Sequence, residues 1–116
     1  MGILGGNPKD EPLHYGEVFS VWTNLITDYG IISGYQTFYN HAGDDDLKKI
    51  IEDIIELCRD EVKQLEKILK TNGIALPPAS PERPVARLED IPAGAKFNDP
   101  EISAALSADL AAGLVA

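Results

Sequence analysis

A chain of 116 residues, 44% hydrophobic and 25% charged, has the size and balance of one globular domain. Its 19 acidic against 10 basic residues give a formal net charge of −9. That balance argues against nucleic acid or an anionic membrane as partner, because both need clustered Lys and Arg. A single cysteine, Cys58, precludes an intrachain disulfide and fits a reducing compartment, and no apolar run approaches the ~18 residues of a membrane span.

The opening MGILGGNPKD, residues 1–10, reads as a flexible N-terminus. It lacks the basic region and long apolar stretch of a secretory signal, and Gly6 stands where myristoylation wants Ser or Thr. These features predict a cytoplasmic protein. A first helix is predicted from about Pro12 to Asn40, with Val18, Trp22, Leu25, Tyr29, Ile32 and Tyr39 as its apolar seam and Gln36 filling one seam position. Gly30 and Gly34 weaken that helix but would let a neighbouring backbone approach.

HAG, residues 41–43, is a short turn, so the next helix should return antiparallel. That second helix is predicted from Asp44 to about Asn72. Asp44, Asp45 and Asp46 suit the positive end of its dipole, Lys67 and Lys70 suit its last turns, and Gly73 can terminate it. Leu47, Ile51, Ile54, Cys58, Leu65 and Ile68 form its seam, broken only by Glu61; Ile50, Ile55, Leu57, Val62 and Leu69 widen it. Asp45–Lys49 and Glu66–Lys70 are expected to pair along the exposed side.

Residues 74–98 carry five of the eight prolines and cannot form a long helix. Such a segment could extend over roughly 80 Å, enough to travel the bundle and start a third helix at its opposite end. Val85, Leu88, Ile91 and Phe97 are expected to pin it. The third helix opens with Asp99 as cap and Pro100 at its first position, carries Ile102, Leu106, Leu110 and Leu114 on one side, and shows no stop signal before Ala116. A hairpin, a long crossover and a further helix make the connectivity of a ferritin-like bundle. The predicted fold is all-α: an incomplete ferritin-like up-down helical bundle forming one domain over 1–116 and lacking a fourth helix.

The stretches LHYGEVFSVW at 13–22, GIALPPASPERP at 73–84 and DIPAGAKFNDPEISAALSADLAAGLVA at 90–116 resemble the bacterial family known as domain of unknown function 3231. The resemblance covers nearly the whole chain. It implies a ferritin-like bundle from endospore-forming bacteria, continuing in family members through a fourth helix, with a possible link to sporulation and no known activity.

A ferritin-like bundle raises the question of a carboxylate-bridged dimetal site, for which Glu residues and Glu-x-x-His pairs must converge. Glu61 interrupts the seam where a buried side chain is expected, but Gln64, not His, follows at the third position. His14 and Glu17 form the other acid–imidazole pair with ligand-like spacing. Helical register predicts Glu17 roughly 10 Å along the axis from Glu61, and places Glu61 level with Asn24, so a polar layer of Glu61 with Asn24 or Gln64 is the simpler expectation. His41 is expected to be a solvated or capping turn residue, and Cys58 an inert core thiol. Trp22, Tyr29, Tyr35, Phe38 and Tyr39 are expected in core or interface.

No catalytic or cofactor-binding residue is predicted. The expected function is that of a non-enzymatic structural or interaction protein without cofactor. It would assemble as a homodimer or higher homo-oligomer, because the apolar side of the third helix needs cover. The alternative is a ferritin-like iron or manganese protein, an oxidase or a store, using His14, Glu17 and Glu61.

Overall fold

The computed structural model describes residues 14–113, and within them every regular element is helical. Helix α1 spans Tyr15–His41, α2 Asp45–Thr71 and α3 Asp99–Ala111; single 3-10 turns stand at Leu88–Asp90 and Ala93–Ala95. The N-terminal segment 1–10 and Leu114 lie outside the described residues.

The hairpin forms as its caps dictate. Asp44 accepts a hydrogen bond from the Leu47 amide at 2.8 Å, satisfying a donor that the first turn of α2 leaves free. Gly73, at φ +70°, closes the other end, and the Ile74 amide returns to the Leu69 carbonyl. Helix α1 starts at Tyr15 rather than near Pro12, with the His14 amide donating to Glu17 Oε1 at 3.2 Å.

The core divides into two clusters. Near the turn, Ile31, Ile32, Tyr35, Leu47, Ile51, Ile54, Ile55 and Cys58 pack with Ile102 and Leu106 of α3. Toward the open end of the hairpin, Val21 and Leu25 pack with Leu65 and Leu69, joined at their edge by Trp22, Tyr29, Ile74 and Leu76. Each fully buried aliphatic side chain contributes about 1.5–3 kcal/mol.

The seam of α1 differs from expectation. Val21, Leu25, Asp28, Ile32 and Tyr35 are buried, whereas Val18, Trp22, Tyr29 and Tyr39 are only half-buried. Helix α1 is covered on two sides, by α2 with α3 and by the crossover, and the aromatic side faces the crossover. On α2, Ile50 and Leu57 are exposed, so the packed stripe is narrower than predicted. The exposed pairing also shifts: Lys49 bonds Asp53 at 2.9 Å, and Glu66 accepts the Tyr29 hydroxyl.

The crossover is held by polar side chains more than by the apolar pins expected. Val85 is 82% exposed. Instead Ser33, Gln36 and Asn40, spaced along one side of α1, bond the extended chain. Ser33 Oγ donates to the Pro81 carbonyl at 2.8 Å; the Arg83 amide donates to Gln36 Oε1 at 2.6 Å; Asn40 Nδ2 donates to the Pro84 carbonyl at 3.0 Å and its Oδ1 accepts from the Ala86 amide at 2.9 Å. From α2, Arg59 grips Glu82 through two bonds of 3.1 and 2.6 Å, which holds that carboxyl below the usual range, with Gln36 adding to the effect. The Trp22 indole donates to the Ala75 carbonyl at 2.9 Å. An extended proline-rich segment has unpaired backbone carbonyls and amides, and these side chains supply the missing donors and acceptors.

The start of α3 also corrects the sequence reading. Asn98, not Asp99, is the cap: its side chain accepts from the Glu101 amide at 2.9 Å, and Glu101 accepts from the Asn98 amide at 3.1 Å, a capping box. Asp99 reaches across to the hairpin turn and accepts from the amides of Gly43 and Asp44 at 2.9 and 3.1 Å. The stop signal exists as well. Gly113 takes φ +73°, the left-handed region that lets a helix end, and its amide turns back to the Leu110 carbonyl. Ile102 and Leu106 are buried as expected, but Leu110 is 52% exposed.

No backbone approaches Gly30 or Gly34: a methyl group built on either meets no atom within 4 Å. Gly30 lies exposed inside α1 and therefore only costs helix propensity. Gly30→Ala is expected to stabilise the protein by about 0.5–1 kcal/mol, read as a rise in the urea midpoint at unchanged slope. A destabilising outcome would mean that something packs closely on this side of α1.

Candidate functional site

Asp28 of α1 and Glu61 of α2 occupy the boundary between the two core clusters. In α1, Asp28 lies between Leu25 of one cluster and Ile31 of the other; in α2, Glu61 lies between Leu65 and Cys58 in the same way. The polar layer expected of Glu61 with Asn24 or Gln64 does not form; the acid nearest Glu61 on α1 is Asp28, one helical turn from Asn24. Asn24 instead bonds the Ser20 carbonyl of its own helix at 2.8 Å. Glu61 itself is exposed, not buried, and Asp28 is the group taken out of water, at 6% exposure.

Asp28 Oδ2 is buried with no hydrogen-bond partner. Glu61 is the charged group that acts on this carboxyl, and taking Asp28 out of water disfavours its ionised form. Burial first, then the side chain and charge of Glu61, push Asp28 up to about 8. Asp28 therefore favours its neutral acid form at neutral pH.

Two further groups adjoin it. The Cys58 thiol is pushed up to about 11 by burial and then by the charges of Asp28 and Glu61, so it stays a neutral, unreactive thiol. The Tyr35 hydroxyl donates to Asp109 Oδ2 of α3 at 2.6 Å, and burial followed by that carboxylate raises Tyr35 beyond any physiological ionisation. All three helices thus carry polar groups into the interior: Asp28 and Tyr35 of α1, two turns apart, Cys58 of α2, and Asp109 of α3.

The fold does not gather the metal candidates named from sequence. His14 and Glu17 form the start of α1, 4.0 Å apart side chain to side chain, and cap that helix. Glu17 precedes Asp28 by roughly 16 Å of helix. Glu61 finds Asp28 instead of either. Iron or manganese in a carboxylate bundle needs several converging oxygen and imidazole ligands. Among the described residues no group of three or more His, Cys, Asp or Glu is placed to hold an ion. Gln64 follows Glu61 where His would be needed, and Asp109 is engaged by Tyr35. Among the described residues the donors do not complete a dimetal centre. Sequence reasoning missed Asp28 because Asp at that position reads as a polar-face residue; only the true seam, offset from the aromatic one, turns it inward.

His41 caps the end of α1, one of its two expected roles, but it is buried and not solvated. It is 8% exposed, and both ring nitrogens face carbonyl oxygens, those of Thr37 at 2.7 Å and Ala95 at 3.1 Å. The aromatic set is packed as expected: Tyr35, Phe38 and Phe97 follow one another at centroid distances of 5.6 and 5.5 Å.

The carboxyl pair has a pH signature. Asp28 is raised in the folded protein from an ordinary 3.8 to about 8, so its favourable contribution is complete below pH ~4 and is lost progressively up to pH ~8. Asp28→Asn keeps a donor for Glu61 but cannot ionise. It is expected to match the parent near pH 4 and to exceed it by about 1–3 kcal/mol at pH 8, measured by urea unfolding at both values. A difference independent of pH would contradict the neutral Asp28.

The comparisons with known proteins agree with this architecture. A Bacillus subtilis (strain 168) protein, YvdQ, itself uncharacterised, is 57% identical over 115 residues, which make up 99% of this chain and 68% of that protein. A crystal structure from Bacillus halodurans C-125, described as that of a candidate spore coat protein, superimposes with a TM-score of 0.87 at 62% identity, covering 92% of this chain and 67% of the other. The chain thus spans about two thirds of each relative. The sequence pattern of the family described as protein of unknown function (DUF3231) matches residues 1–116, and the chain belongs to that family.

Proposed function

We propose that this protein is a non-enzymatic structural component of the bacterial spore, acting by packing its helices against other protein surfaces. The observation that carries this reading is the apolar area left outside the core. Phe19 and Ile26 of α1, Ile50 and Leu57 of α2 and Leu110 of α3 are between 45% and 72% exposed. Large apolar side chains on every helix of one bundle are what an assembling subunit presents to its neighbours. The similarity to a candidate spore coat protein supports the spore as the place of assembly.

The interior polar groups support the same reading. Asp28 beside Glu61, a Tyr–Asp bond and a neutral thiol tie the three helices together, and Asp28, at 6% exposure, is closed to a substrate. The bundle is ferritin-like in its connectivity, and we infer a single domain made in the cytoplasm. A second copy of the chain is the simplest cover for the exposed helical surfaces, giving a homodimer or higher homo-oligomer. Among the described residues no helix is long and apolar enough to cross a membrane. The acidic balance leaves nucleic acid an unsuitable partner.

A fluorescent fusion produced in sporulating Bacillus subtilis tests the proposal. It is expected to concentrate at the developing spore and to remain with purified spores after washing. Fluorescence spread evenly through the mother cell and absent from washed spores would contradict it.

A further inference from the structure

We propose that His41 is a proton-operated latch that fastens the entry of α3 to the end of α1. The argument rests on hydrogen-bond chemistry. Nδ1 lies 2.7 Å from the Thr37 carbonyl oxygen and Nε2 lies 3.1 Å from that of Ala95. A backbone carbonyl can only accept, and a neutral imidazole carries only one N–H. Both bonds therefore exist together only in the imidazolium form. Once the proton leaves, one nitrogen turns a lone pair toward a carbonyl oxygen, and at 8% exposure little water is available to replace the lost donor.

The position gives this bond leverage. Thr37 belongs to the last turns of α1, whereas Ala95 belongs to the 3-10 turn leading into α3. His41 is the final residue of α1, where the negative end of the helix dipole favours a positive imidazolium. The Phe97 ring stands edge-on to the imidazole at 5.2 Å, closing the other side. Asp99, a few residues on, holds the hairpin turn. Two fastenings thus secure the same junction, and only the histidine one depends on a proton carried by a side chain.

The charged groups around the junction do not substitute for that proton. From α2, Asp44 caps its own helix through the Leu47 amide, and Asp45 and Asp46 follow it, exposed. From α3, Asp99 is occupied by the Gly43 and Asp44 amides, and the crossover brings Lys96 beside Ala95. No ion pair among the described residues includes His41. The latch works by donor count, not by a salt bridge.

Nitrogen NMR of the two imidazoles is the test, because His14, with its side chain 80% exposed, serves as an internal control. At pH 5 both His41 nitrogens are expected to be protonated. At pH 8 a single tautomer is expected, with exchange protection of the Ala95, Lys96, Gly43 and Asp44 amides lower by roughly five- to tenfold after correction for intrinsic rates, the equivalent of one hydrogen bond. In His41→Gln, which offers a single amide group, protection of these amides should not vary with pH beyond intrinsic rates. A neutral His41 ring at pH 5 in the parent protein, or protection there unchanged between pH 5 and 8, would overturn the proposal even if the variant failed to fold.

Discussion

The molecule depends on where its third helix begins. Asp99 accepts the amides of Gly43 and Asp44 and so starts α3 beside the turn of the hairpin. The chain leaves α2 at the opposite end, some 40 Å away for a helix of this length. The crossover must therefore run the length of the hairpin, pairing its own backbone only in the two 3-10 turns near its end and leaving the extended stretch before them to side-chain partners. Ser33, Gln36, Asn40, Arg59 and Trp22 answer that need, and the proline-rich composition of the segment follows from it. Prolines restrict the unfolded chain and remove amides that would otherwise require acceptors.

With α3 fixed at the turn, Ile102 and Leu106 complete one core cluster and leave the other, around Val21, Leu25, Leu65 and Leu69, to the hairpin and the first residues of the crossover. Asp28 and Glu61 stand at that division. A neutral Asp28 beside Glu61 stabilises less than two leucines would, yet it has one matching position on the other helix, and a slip of either helix would strand Asp28 against hydrocarbon. Tyr35 and Asp109 extend the same constraint to α3.

Periodicity and punctuation made much of the fold legible. The apolar spacing on α2, the acidic run at its start and Gly73 at its end placed that helix nearly to the residue. The proline content of residues 74–98 identified a crossover, and its length placed α3 at the turn. What stayed hidden depended on which side of α1 faced inward. Aromatic residues at helical spacing suggested a seam through Trp22 and Tyr29, but α1 has two covered sides, and the deeper one carries Asp28. Gly113 was illegible as a stop because an Ala-rich helix can continue through glycine at modest cost. Glu61 stands out in the sequence as an acid where a buried side chain is expected, but it is Asp28, facing it from α1, that is taken out of water. The burial of His41 was hidden in sequence, because the Ala95 carbonyl that occupies it comes from 54 residues away.

A native mass spectrum of protein purified without chelator tests the proposed self-assembly and the metal-free acid pair of Asp28 and Glu61 together, since one mass reports both chain number and bound metal. The expected result is a dimer or larger assembly whose mass is that of its polypeptides alone. A monomer at micromolar concentration would contradict the assembly, and one or two iron or manganese ions per chain would contradict the metal-free pair.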